Sequence, residues 1–249
     1  MVLTSKNNPL IRETIALQDK KGRKRLGLFL VEGVKMTREC LKSGLEVERV
    51  FVAESYEDKD GFLSAIQDKT VLVSDDVFAR ISDEKTPQGV LCRVKIPQTP
   101  LQSPTGACLV LDGVADPGNI GAIIRTANAA GYKEIYLTRD CVDAYSPKSV
   151  RASMSGVFFT TLYQADREDI LSVLQGTSVI VADMRGENLF TFQAPKQFAL
   201  VIGNEANGVS ETFKKAATHT VKIPMESTQE SLNAAVSAGI LMYNLKKFS

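Results

Sequence analysis

Histidine is nearly absent from this sequence of 249 residues, because His219 is its one example. Its position in THTVKI, just before an apolar stretch, indicates a surface residue. A Ser-His-Asp or Cys-His catalytic device, and a histidine-based metal site, are therefore not expected. No Walker phosphate-binding loop is present either.

Cysteine pairs, excess charge and long apolar runs are also missing. The four cysteines lie far apart with no Cys-x-x-Cys pair, which argues against a zinc site or a disulfide framework. Lys and Arg number 30 against 29 Asp and Glu, so binding to nucleic acid would need local basic patches. With no signal-like or membrane-spanning apolar run, we expect a soluble cytoplasmic protein without membrane or metal partners.

Strand-like and helix-like stretches alternate over the first part of the chain, which predicts a small α/β domain over residues 1–96. Pro97, Pro100 and Pro104 follow at short intervals. Because proline removes backbone donors, residues 97–106 are predicted to form a stiffened linker.

Five cations crowd a short segment of the first domain: Lys20, Lys21, Arg23, Lys24 and Arg25. One interpretation is a solvated loop with excess charge. The other is an edge that contacts phosphates, since clustered cations gain affinity by releasing counterions from a polyanion. Arg151, in a later polar segment, has the same two interpretations.

Residues 107–249 show repeated strand–helix patterns and are predicted to form a second α/β domain. The stretch ACLVLDGV is typical of a strand that is buried on both faces. After it, Asn119 is predicted to cap a helix that carries Arg125 on a face away from its isoleucines. The glycines around Asn119 lack G-x-G-x-x-G spacing, although a phosphate could still bind at the helix start.

Near the C-terminus, two apolar strands each end in a turn, and an amphipathic helix follows. Together they predict a pocket that suits a nucleoside, lined by Ile202, Ile223, Met225 and Leu232. Gly203 and Gly208 predict a tight turn whose backbone can approach a ligand. Ser227 and Glu230 fit a capping box at the start of the last helix.

Polar residues stand at the predicted strand-end loops: Asn119, Arg125, Glu205, Ser231 and Asn233. Such a set suits a transfer reaction in which a cofactor brings the reactive group and the protein supplies position and charge.

Three stretches, DPGNIGAIIRTANAAG, VIGNEANGVS and IPMESTQESLNAAVSA, resemble in order and spacing the motifs of the SpoU (TrmH-like) RNA 2′-O-ribose methyltransferases of the SPOUT superfamily. The first domain resembles, less specifically, an L30e-like substrate-binding domain. The resemblance implies an α/β fold with a C-terminal trefoil-knotted parallel sheet, S-adenosylmethionine as methyl donor, RNA as substrate and a homodimer.

The resemblance also implies roles for individual residues. Gly203, Ile223 and Leu232 would contact the cofactor, mainly through backbone groups, with Ile202 and Met225 beside them. The active site would consist of Asn119, Arg125, Glu205, Ser231 and Asn233. Residues expected to bind RNA are Lys21, Arg23, Lys24, Arg25 and Arg151.

Arg125 can be cast as a base or as an electrostatic anchor. Because a guanidinium stays protonated at neutral pH, we favour an anchor that holds the neighbouring phosphate and stabilises the developing alkoxide. Glu205 would position Arg125 or the loop around it.

Ribosomal RNA is the expected substrate, with transfer RNA as an alternative. Two other classes remain open: an RNA-binding protein that kept the fold without catalysis, and a nucleotide-dependent α/β enzyme that binds phosphate at the Gly118 loop. The sequence also departs from the family pattern where Ser155 replaces a common glycine, and at Ser227 and Ala235.

Overall fold

The computed structural model describes residues 2–226, 228 and 231–246. The chain forms two compact units. The first contains Met1–Gln98 and Tyr145–Phe158, and the second contains Thr99–Ala144 and the chain from Phe159 onwards. Residues 145–158 lie inside the predicted second domain, 107–249, yet they belong to the first compact unit. The predicted domain boundaries stay predictions.

The elements follow one another in chain order. Up to residue 98 they are α1 (Pro9–Ala16), α2 (Lys20–Leu26), β1 (Leu28–Glu32), α3 (Val34–Lys42), β2 (Val47–Ala53), a 3₁₀ helix (Phe62–Lys69), β3 (Thr70–Val73), α4 (Asp75–Ile81) and β4 (Val90–Lys95). After it they are β5 (Cys108–Asp112), α5 (Pro117–Ala129), β6 (Glu134–Thr138), α6 (Pro147–Ser153), a 3₁₀ helix (Gly156–Phe158), β7 (Thr161–Ala165), α7 (Arg167–Val173), β8 (Ser178–Asn188), β9 (Phe198–Gly203), α8 (Glu211–Ala216), β10 (His219–Lys222) and α9 (Ala234–Leu245). Within the described ranges, no helix has the length and hydrophobicity needed to span a bilayer.

The first unit is built on a four-stranded sheet in the order β1–β4–β2–β3. Strand β4 is antiparallel to both β1 and β2, whereas β2 and β3 are parallel. Apolar side chains from α1, α4 and the sheet form one core, in which Phe51, Phe78 and Leu91 are buried. This packing explains why the strands of the first domain are so apolar.

The basic segment of the first unit is the helix α2. Its Gly22 lies against α1, because a Cβ there would lie 1.8 Å from the carbonyl oxygen of Ala16. The next residue, Arg23, is also on the buried face and is 3% exposed. The helix ends at Gly27, whose φ of 65° is one that glycine adopts readily.

The segment Tyr145–Phe158 packs on the first unit through aromatic rings. Phe29 of β1 lies 4.9 Å from the ring of Tyr145 and 6.5 Å from that of Phe158. After α6, Met154 and Ser155 have positive φ angles of 45° and 73°. Residues other than glycine are strained in this left-handed conformation. This strain gives a physical reason for the family preference for glycine at the position of Ser155.

The second unit is built on a six-stranded sheet in the order β10–β8–β9–β5–β6–β7. Its neighbouring strands are all parallel. Strands β5 and β6 are buried along their whole length. For β5, the continuous apolar stretch ACLVLDGV predicted this burial. The predicted α/β class and parallel sheet are therefore confirmed.

The predicted linker is anchored to the second unit from Thr99 onwards. The rings of Tyr136 and Tyr163 are stacked, and the hydroxyl of each binds Gln102. The side-chain amide of Gln102 donates to the Tyr163 hydroxyl at 2.7 Å, and its backbone carbonyl accepts from the Tyr136 hydroxyl at 2.9 Å. Thr105 donates from its backbone and side chain to the carboxylate of Glu134.

Two helix starts differ from the sequence predictions. The N-cap of α5 is Asp116, not Asn119, because the Asp116 carboxylate accepts the backbone N–H of Asn119 at 2.8 Å. The last helix begins at Ala234, where the side chain of Asn233 accepts from the first turn. The predicted capping box of Ser227 and Glu230 lies outside the described residues.

Candidate active site

A cavity of about 670 Å³ lies within the second unit. It is bordered by the carboxyl ends of β9 and β10, by β8 and by the segment that leads into α9. All five residues expected to contact a cofactor line it: Ile202, Gly203, Ile223, Met225 and Leu232. Glu205, Ser231 and Asn233 line it as well. The fold thus gathers the two strand ends and the helix start that the sequence predicted to meet.

The turn after β9 is closed by its own backbone. Asn204 and Gly208 exchange hydrogen bonds of 3.0 and 2.9 Å. A Cβ on Gly203 would lie 2.2 Å from the carbonyl carbon of Gly208, so the two backbone segments are in direct contact. The Asn204 side chain accepts from Ala206 and Asn207 and donates to the carbonyl of Gly113. These contacts give the turn one defined shape.

The Glu205 carboxylate binds the loop that leads into α5. One oxygen accepts the backbone N–H of Ala115 at 3.1 Å, and the other accepts that of Asp116 at 3.2 Å and the amide of Asn119 at 2.9 Å. Partial burial by itself would raise the pKa of Glu205, but these hydrogen bonds outweigh it and lower the pKa. Glu205 is therefore a carboxylate at neutral pH.

Asn119 and Asn233 continue this network to the last helix. The Asn233 amide donates to the side-chain oxygen of Asn119 at 2.9 Å. The oxygen of Asn233 accepts from the backbone N–H groups of Ala235 and Val236. A continuous chain of hydrogen bonds therefore joins the turn after β9, the start of α5 and the start of α9.

Arg125 lies outside this network. It is exposed on α5, and its guanidinium has no hydrogen-bond or ion-pair partner among the described residues. It is also not among the described residues that line the cavity. Since it follows Asn119 by six residues, it lies about 9 Å further along the helix axis.

Residues 106–243 match the model of the SpoU rRNA Methylase family. The chain belongs to this family. Residues 8–92 of this SpoU protein match a second model, the MRM3-like substrate binding domain.

Known relatives match this SpoU protein over almost its full length. The 23S rRNA (guanosine(2553)-2′-O)-methyltransferase RlmP of Bacillus subtilis is 30% identical over 98% of both chains. The AdoMet-bound rRNA methyltransferase from Sinorhizobium meliloti matches with a TM-score of 0.89 and 27% identity, over 98% of this chain and 96% of that one. The AdoMet complex of the SpoU methyltransferase AviRb from Streptomyces viridochromogenes has a TM-score of 0.85 and 26% identity, over 96% and 97%.

The residues expected to bind RNA fall into two groups in the SpoU protein. Lys21, Lys24 and Arg25 are exposed on α2. Arg23 departs from the expectation, because it is buried and its guanidinium donates to the carbonyls of Leu17 and Gln18 at 2.8 Å. A helix of seven residues cannot present successive side chains on one face, so one of the five cations turns inward.

Arg151 is engaged by two carboxylates of the first unit. Its guanidinium lies 2.7 Å from Asp83 and 2.9 Å from Glu84. A phosphate would have to compete with both acids for this cation.

Sequence reasoning missed part of the cavity wall. Asp183 and Met184 of β8 line the cavity, as does Ser237 of α9. Strand β8 is parallel to β9, so the position of its residues beside Gly203 follows only once the strand order is known. His219, expected at the surface, is half-buried with its ring 5.2 Å from that of Phe192. The described part of the chain contains no group of three His, Cys, Asp or Glu side chains that could hold a metal ion.

Replacing Gly203 by alanine is expected to lower the free energy of unfolding by about 1–3 kcal/mol, because its Cβ would overlap the Gly208 backbone. Chemical denaturation measures the change. Gly106→Ala is the matched control, since no atom lies within 4 Å of the added Cβ. Equal stability of the two variants would show that the turn can open without cost.

Replacing Glu205 by glutamine is expected to lower stability at neutral pH. Because the folded-state pKa of Glu205 is lowered, its contribution is present above about pH 4.3, the ordinary pKa of glutamate, and is lost as the pH falls through the folded-state value. Unfolding curves of both proteins should therefore converge in acid. Glu187→Gln, at an exposed glutamate of β8, is the control. A difference from wild type that persists unchanged into acid would contradict this account.

Proposed function

We propose that this SpoU protein uses S-adenosylmethionine to methylate the 2′-hydroxyl of a ribose in ribosomal RNA. The observation that carries the proposal is the cavity bordered by Gly203, Ile223 and Leu232, joined by hydrogen bonds through Asn233 and Asn119 to the start of α5. Family membership and a relative that methylates 23S rRNA support the reaction type.

The cavity suits an adenosyl cofactor in size and chemistry. Its volume of about 670 Å³ is in the range typical of small-molecule sites. Ile202, Ile223 and Leu232 supply an apolar wall. The backbone N–H groups of Met225 and Leu232 have no hydrogen-bond partner among the described residues, so they can bind a ligand. The cofactor, when bound, supplies an electrophilic methyl group.

The protein has to hold the attacking ribose and stabilise the charge that forms on it. The ribose oxygen would form a bond to the methyl carbon as the carbon–sulfur bond breaks, which leaves S-adenosylhomocysteine, and the hydroxyl proton would pass to water. Arg125 would hold the adjacent phosphate and stabilise the developing alkoxide by charge. A guanidinium does not accept a proton at neutral pH, which favours this anchoring role over that of a base.

Glu205 serves the loop rather than Arg125 directly. Both carboxylate oxygens accept hydrogen bonds from the loop before α5 and from its first turn. Among the described residues, no hydrogen bond or ion pair is found between Glu205 and Arg125. Glu205 would therefore act by orienting the helix that carries Arg125. Ser231, which lines the cavity beside Leu232, is proposed to contact the substrate ribose.

We also propose that two copies of the chain form a dimer through α9. Val236 and Tyr243 on this helix are 52% and 50% exposed, although both are apolar or aromatic. A second copy that covers this face would remove the apolar surface from water.

Arg125→Ala is expected to lower the rate of methyl transfer about a hundredfold or more, while the affinity for S-adenosylmethionine stays unchanged. A tritium-transfer assay measures the rate, and calorimetry measures the affinity. Arg139→Ala removes the same charge from the same unit, at a side chain that is 65% exposed and paired with Asp166, and should change neither quantity. Parallel loss of rate and affinity in Arg125→Ala would show that the residue belongs to the cofactor site.

Deleting the gene is expected to remove a 2′-O-methyl group from 23S ribosomal RNA. Mapping of ribose methylation in cellular RNA, with and without the gene, measures this directly. Loss of a methyl group from transfer RNA instead would select the alternative substrate. An unchanged map with intact RNA binding would indicate a non-catalytic protein.

A further inference from the structure

An acidic side chain lies on the wall of the cavity, among residues without an assigned role. Asp183 belongs to β8, next to β9 in the sheet. Val181 of β8 pairs with Val201 of β9, and this pairing ends two residues before Asp183 and Gly203, which both line the cavity. Its side chain is 21% exposed. Asp183 and the turn after β9 thus border the same cavity.

One oxygen of this carboxylate is unused. Oδ1 accepts the backbone N–H of Arg185 at 3.0 Å and its Nε at 3.3 Å. Oδ2 has no hydrogen-bond or ion-pair partner in the part of the chain that the structure describes. Such an oxygen can accept a hydrogen bond from water or from a ligand.

Asp183 differs from the other charged residues of the cavity wall. Among the described lining residues these are Glu205 and Lys222. Glu205 has both oxygens bound by protein donors, and Lys222 is a cation. Asp183 is therefore the described carboxylate of the wall that has an oxygen without a hydrogen bond from a described residue.

The ion pair with Arg185 does not prevent this. The Arg185 side chain is 84% exposed, and exposed pairs contribute little to stability. The backbone N–H of Arg185 lowers the pKa of Asp183 despite partial burial, and the Arg185 side chain adds to this effect. Asp183 is therefore a carboxylate at neutral pH whether or not the Arg185 side chain is paired with it.

We propose that Asp183 is a cofactor-binding residue whose free carboxylate oxygen accepts a hydrogen bond from a hydroxyl or ammonium donor of the adenosyl cofactor. The inference rests on the proposed function, because it assigns a ligand to the same cavity. S-adenosylmethionine carries two donor groups of this kind, the ribose diol and the α-ammonium. A charge-assisted hydrogen bond to either one would be stronger than a neutral bond.

The test is calorimetric binding to Asp183→Asn, which keeps the size of the side chain and replaces its charge. The ligands are S-adenosylhomocysteine, which has both donors, and 5′-methylthioadenosine, which keeps the ribose and lacks the ammonium. We expect the Kd of Asp183→Asn for S-adenosylhomocysteine to rise roughly tenfold or more. A similar rise for 5′-methylthioadenosine would identify the ribose diol as donor, and a rise for S-adenosylhomocysteine alone would identify the ammonium.

Three control proteins make the outcome specific. Glu187→Gln makes the same chemical change on the same strand, at a residue that does not line the cavity, and should bind as wild type does. Arg185→Ala removes the ion-pair partner and keeps the carboxylate, so its affinity should not fall. Asp183→Ala repeats the test if the asparagine variant fails to fold, which thermal unfolding without ligand would reveal.

Wild-type affinity in Asp183→Asn would overturn the inference and leave the proposed function intact. An equal loss in Glu187→Gln would overturn it too, since the effect would then come from net charge. If the wild-type protein bound neither ligand, the proposed function itself would fail, and the role of Asp183 with it.

Discussion

The site depends on one carboxylate, that of Glu205, which joins two parts of the chain ninety residues apart. It accepts hydrogen bonds from Ala115, Asp116 and Asn119 and so holds the turn after β9 against the start of α5. Hydrogen bonds to a charged group contribute about 1.5–3 kcal/mol each, which is more than neutral bonds contribute. Through Asn119 and Asn233 the same contact reaches the start of α9. The contact of Asn204 with the carbonyl of Gly113 adds a second link between the turn and the loop before α5.

The parallel sheet makes this contact possible. Strands β5 and β9 are paired neighbours, so Asp112 and Gly203 lie side by side at the same edge. Their interiors are buried and apolar, which gives a rigid base, while the turns beyond them carry the polar groups. The close approach of Gly203 to Gly208 leaves no room for a side chain at this position, so the shape of the turn and the residue type depend on each other.

Several features could be predicted because they rest on local patterns. Continuous apolar stretches identified β5 and β9, and the turn residues after β9 and β10 placed Ile202, Ile223 and Leu232 around one cavity. The helix starts were harder. Asp116 and Asn119 are both good caps, and only the three-dimensional contact shows that Asp116 caps α5 while Asn119 is used by Glu205. In the sequence, Arg23 is indistinguishable from the cations beside it. Its burial, and its hydrogen bond to the carbonyl of Leu17, follow only from the packing of α2 against α1.

The sequence by itself determined the α/β class and the motifs that identify the family, because both depend on short-range patterns. Only the tertiary structure decided which polar groups the described residues bind and which they leave without a partner. Glu205 and Asp183 are both acids near strand ends. Both oxygens of Glu205 accept hydrogen bonds, whereas one oxygen of Asp183 has no partner among the described residues. That difference arises from strand order and from contacts between distant segments, which local patterns do not encode.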